Sequence, residues 1–123
     1  MNQWFLYAGS VIIAGWGLAH LVNTKGVLVS FEPMSVDTRR VVAMEWIMEG
    51  LTLIFVAVLV VLVTTLADPQ HAVSILIYRA SAVMLIVMAA VSLFTGARVA
   101  FWAYKLCPFV FTASGVAFFL GSM

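Results

Sequence analysis

Arg39-Arg40-Val41-Val42-Ala43-Met44-Glu45-Trp46-Ile47-Met48-Glu49-Gly50 opens the second long apolar run of the chain, and its reading decides the fold. The two arginines are the strongest basic signal in the sequence, and directly behind them two carboxylates are carried toward what should be hydrocarbon. A spacing of four residues sets Glu45 and Glu49 on one helix face, about 6 Å apart along the axis. A carboxylate drawn into a bilayer is costly, so each is a candidate functional group by default.

The surroundings of that stretch make the bilayer the right solvent to reason with. The chain of 123 residues is 65% hydrophobic and 9% charged, and its mean hydropathy is +1.17, far outside soluble usage. Four apolar runs, 4–22, 41–66, 72–95 and 99–120, each approach or exceed the ~20 residues that cross ~30 Å of hydrocarbon as a helix. They are apolar on nearly every face rather than alternating, which argues for helices and against a barrel. The opening Met1-Asn2-Gln3 has no basic character and no small-residue cleavage site follows, so the first run is read as a membrane helix and not as a signal peptide. A formal net charge of +1 and the lack of any basic patch speak against nucleic acid. The single cysteine, Cys107, forms no internal disulfide and no CxxC motif.

The expected fold class is therefore all-α: an integral membrane four-helix up-down-up-down bundle, one domain over 1–123. Short connections after the second and third runs, the latter Gly96-Ala97-Arg98, make sequence neighbours antiparallel. Of the 6 Lys and Arg, all but Arg79 fall at one end of such a bundle. The positive-inside rule then places the 23–40 and 96–98 connections in the cytoplasm and both termini outside, in what is expected to be a prokaryotic inner membrane. The 23–40 segment is read as a cytoplasmic loop, partly interfacial because of Val27-Leu28-Val29-Ser30-Phe31, with Asp37 as N-cap of the next helix. Small residues at four-residue spacing, Gly15 with Ala19 and Ala113 with Ala117 and Gly121, offer close-approach surfaces. The second set is expected to serve a homo-oligomer or contact with other membrane subunits.

The polar groups gather at the basic end: His20, Glu45, Glu49, Arg98, Tyr104 and Lys105. Helical spacing groups Glu45, Glu49, Thr52 and Val56 on one face, Arg98, Trp102, Lys105 and Phe109 on another, and Ser81, Met84, Met88, Ser92 and Thr95 on a third, which together would line an apolar cavity with a charged floor. Four readings compete. The first is structural, with Glu49 paired to Lys105, Glu45 to Arg98 or a loop arginine, and His20 at a helix end. The second is a pocket where carboxylate and imidazole orient the polar end of a quinone, sterol or lipid. The third is a proton-handling site. The last is a metal site of His20, Glu45 and Glu49, which has suitable ligand types but no recognised motif. The pairs Met44/Met48 and Met84/Met88 are read as core filling rather than copper ligands, and Cys107 as a small buried residue.

On these residues the chain resembles the small four-helix membrane proteins called DoxX-like. The likeness consists of a glycine-rich first helix ending in a polar turn, Ala14-Gly15-Trp16-Gly17-Leu18-Ala19-His20, a long first loop, and Arg39-Arg40 ahead of a helix entered through Glu45-Trp46. It implies links to quinone-coupled oxidoreductases or to assembly of other membrane proteins, and carries no catalytic residue over. The expected role is non-catalytic: binding a small apolar ligand or serving as an accessory subunit of a larger membrane complex. The alternatives are a membrane enzyme or oxidoreductase component using His20, Glu45 and Glu49, and then an oligomeric transporter.

Overall fold

A computed structural model describes residues 1–123, and all of its regular structure is helical. Helix α1 (Gln3–Val22) begins where the Asn2 side chain accepts a hydrogen bond from the Trp4 N–H at 3.1 Å, an N-cap that satisfies one of the free amides of the first turn. After the short helix α2 (Thr24–Ser30) come α3 (Val36–Leu66), α4 (Ala72–Phe94), a 3-10 turn (Gly96–Arg98) and α5 (Trp102–Gly121). Four of these, α1, α3, α4 carried on through the 3-10 turn, and α5, are long and apolar enough to cross a membrane.

Two local expectations are corrected. The 23–40 segment is not a loop throughout: α2 occupies part of it, and its Val27 and Leu28 are buried, because two adjacent apolar residues next to a bundle lose less by folding onto it than by lying in water. Helix α3 starts at Val36, ahead of the expected 41, and its N-cap is Ser35, whose Oγ accepts from the Thr38 N–H at 3.1 Å. Asp37 instead sits in the first turn, where a negative charge suits the helix dipole. The two arginines that oppose that dipole are partnered, Arg39 with Glu32 and Arg40 with Asp37.

Packing follows a spatial order that differs from chain order. Helix α1 lies against both α3 and α5, α5 lies against α4, and α3 and α4 touch only sparsely. Glycines make the closest approaches. A Cβ on Gly17 would come within 2.7 Å of the Gly50 carbonyl oxygen, and one on Gly50 within 2.9 Å of the Gly17 carbonyl oxygen, so α1 and α3 meet backbone to backbone. At the other contact of α1, Gly121 abuts Leu6 and Gly9 abuts Phe118 and Ala117. The small-residue stripe of the last helix is thus consumed inside the chain where it reaches Ala117 and Gly121, while Gly15 has open space around it. One apolar core joins the long helices, including Leu6, Leu53, Tyr78, Leu85, Phe111 and Phe118.

Near the connection between them α3 and α4 are tied by a buried hydrogen bond, Thr64 Oγ1 to Tyr78 Oη at 3.1 Å. Towards their other ends they part, and a groove opens. Outward faces are apolar: Val11, Val22, Phe55, Leu66, Leu76 and Phe109 are all more than half exposed. A soluble monomer does not present so much apolar surface; this is an integral membrane protein, and lipid covers it.

Candidate functional site

His20 is placed by the glycine crossing. Three residues beyond Gly17, it comes down on the α3 backbone at Gly50, whose missing Cβ would otherwise meet the His20 Cβ at 3.0 Å. The imidazole is 2% exposed and lies stacked on the Trp46 indole, centroids 4.1 Å apart and planes 24° apart, with the edge of Trp16 behind it. Trp46 Nε1–H donates to the His20 carbonyl at 2.6 Å, fixing the last turn of α1 to the first membrane turns of α3. His20 Nδ1 lies 2.9 Å from the Trp16 carbonyl oxygen. A carbonyl only accepts, so Nδ1 carries the hydrogen and donates it.

The other ring nitrogen, Nε2, is buried without a hydrogen-bond partner and faces Glu49 Oε1 at 3.7 Å. The carboxylate is 33% exposed and looks past the imidazole into the groove between α3, α4 and α5. That groove encloses about 400 Å³, with Met84, Met88, Ser92 and Thr95 on the α4 wall and Tyr104 and Cys107 on the α5 wall. Tyr104 also stands 5.2 Å from Trp46, ring to ring, so the aromatic box around His20 is continuous with the groove wall. A second pocket of about 360 Å³ lies on the far side of His20, lined by Trp16, Asn23, Val27, Trp46 and Phe101 among others.

Of the residues singled out from sequence, His20, Glu49 and Tyr104 are brought together and the other three are not. Glu45, Arg98 and Lys105 are exposed and make no ion pair. The expected Glu49–Lys105 pair is replaced by Glu49–His20: Trp102, Lys105 and Phe109 turn outward, and Tyr104, Cys107 and Phe111 form the inner face of α5. The face of α5 expected to point inward is nearly opposite to the one that does, because both faces of a membrane helix are apolar and nothing in periodicity separates core from lipid. With Glu45 exposed, the three-ligand set His20, Glu45, Glu49 does not converge, and no group of three such side chains does elsewhere. Two positioning features are not legible in the sequence: the Gly17–Gly50 contact, which no single helix can reveal, and the Trp46 stack on His20, which joins residues 26 apart on different helices.

The fold and this arrangement define a small polytopic membrane protein with one carboxylate–imidazole pair beside a lipid-open groove. The chain belongs to the family described as ion channel regulatory protein UNC-93, whose model matches residues 1–102. No curated protein and no solved structure matches it. The matched segment ends at the first residue of α5.

Proposed function

We propose that the protein is a non-catalytic accessory subunit that regulates an ion-conducting membrane complex, and that its α3–α4–α5 groove holds the polar end of a small apolar ligand. The observation that carries the first half is the match to ion channel regulatory proteins over residues 1–102. The second half rests on an apolar groove with few polar groups, the usual make-up of a small-molecule site. The proposed topology is up-down-up-down with both termini outside and the basic end in the cytoplasm. It is supported by the contacts Gly17 with Gly50 and Leu6 with Gly121, which set the end of the first span against the second and the start of the first beside the end of the last, and by the position of Arg39, Arg40, Arg98 and Lys105.

The test is to isolate the full chain from its native membrane in mild detergent and in parallel to delete it and record ion flux. A foreign membrane subunit in stoichiometric amount, together with altered flux on deletion, is expected. A species with the mass of one 13.4 kDa chain across mild detergents, with flux unchanged, overturns the reading.

A further inference from the structure

We infer that the groove is a site for an amphiphile with a primary ammonium head, which docks on Glu49 and displaces a proton held by the His20–Glu49 pair. The inference deepens the ligand half of the proposed function and rests on it. It begins with His20 Nε2, a buried polar atom with no hydrogen-bond partner, aimed at a carboxylate oxygen 3.7 Å away. Since Nδ1 is the donor to Trp16, a neutral imidazole would turn its lone pair toward an ionised carboxylate, and two acceptors would face each other in a low-dielectric setting. The pair therefore carries a proton, on Nε2 or on the carboxyl group. At 3.7 Å it is held without a good hydrogen bond, and that is an arrangement a better partner can replace.

Charge complementarity selects the head group. Glu49 is the one charged side chain lining the groove, and no Lys or Arg lines it. From α1 it faces His20; from α5, Tyr104 and Cys107; the α4 wall contributes hydroxyls at Ser92 and Thr95 and no ionisable group; Glu45 on its own helix is turned out and exposed. Thr95 Oγ1 already donates to the Val91 carbonyl at 2.7 Å and Cys107 to that of Ala103. An anionic head would meet a carboxylate with no cation in the wall to offset it. A hydroxyl could make one hydrogen bond. An ammonium donates several and brings the positive charge that lets the pair release its proton. The balance is simple: R–NH3+ donates N–H to the Glu49 carboxylate, one proton leaves the pair to water, and no covalent bond changes. The tail then lies along Met84, Val87 and Met88, adaptable apolar surface open to the acyl chains.

The experiment uses the full chain in phosphatidylcholine nanodiscs, titrated with dodecylamine, dodecanol and dodecanoate against empty discs, by calorimetry in two buffers of different ionisation enthalpy. Saturable dodecylamine binding is expected, about ten- to a hundredfold tighter than dodecanol, as for a charge-assisted hydrogen bond, with proton release for the amine alone. Glu49→Gln should remove the preference while keeping dodecanol binding, which also shows that the variant is folded. His20→Gln should keep amine binding and abolish the buffer dependence. Equal binding of amine and alcohol, or an amine preference that survives Glu49→Gln, overturns the head-group assignment and leaves the groove as a ligand site. No saturable binding of any of the three overturns both.

Discussion

His20 and Glu49 should behave as one unit and Lys105 as a bystander. Glu49→Gln places an amide donor where the carboxylate faced Nε2, so a neutral imidazole gains a donor and the fold persists. In a double-mutant cycle with His20→Gln the two sites should show a coupling of about 1 kcal/mol, at the low end for contacting residues because the carboxylate is partly open. Lys105→Met should leave both stability and that coupling unchanged; rescue of Glu49→Gln by Lys105→Met would restore the lysine pairing. Trp46→Phe keeps a stacking ring but loses the donor to the His20 carbonyl, and should lower stability by about 0.5–1.5 kcal/mol, read by reversible unfolding in mixed micelles. Among individual residues the sequence drew attention to the carboxylate inside the bundle and was poor on its partner. Glu49 stands out because a carboxylate among Ile47, Met48 and Leu51 must answer to something, yet which residue answers depends on helix rotation. That rotation is set by Gly17 fitting Gly50, a contact between two residues far apart in the chain.

The α1–α3 pair is the element on which the site depends, and its glycines can be tested against each other. Gly17→Ala drives a methyl into the Gly50 carbonyl oxygen; overpacking of that kind costs about 1–3 kcal/mol, and it should also pull His20 away from Glu49, so that the His20–Glu49 coupling falls with stability. Gly15→Ala, two residues away with open space around it, should cost nothing in the same assay. If the two alanine variants are equally stable, the helices do not cross where the structure puts them. The existence of α1, α3, α4 and α5 was legible from hydropathy alone, because ~20 apolar residues in a row leave few alternatives. Helix α2 was not, since seven residues carry too little periodicity to tell a short helix from an interfacial loop. Helix α3 is also longer than its apolar run suggests. Its 31 residues extend about 46 Å at 1.5 Å per residue, more than ~30 Å of hydrocarbon, so the turn bearing Arg39 and Arg40 stands in the headgroup layer or beyond it.

For the molecule as a whole the decisive measurement is sidedness: a cysteine replacing Asn2 should react with an impermeant reagent from outside only, and one replacing Gly26 from the cytoplasm only, as the distribution of basic residues requires. Labelling in the opposite sense would invert the proposed topology and put the His20–Glu49 pair near the outer surface. The arrangement of the helices has a further consequence, for the order in which the protein can be made. Helix α5 lies between α1 and α4, yet it leaves the ribosome after both. Until it arrives, α1 and α3 can already close their glycine contact, whereas α4 has only the Thr64–Tyr78 hydrogen bond and a few neighbours near the turn to hold it. The nascent chain is therefore expected to hold α4 only at its turn until α5 packs between α4 and α1. A chain ending at Ala100 should insert its first three spans but be cleared by membrane quality control, and supplying α5 as a separate peptide should rescue it.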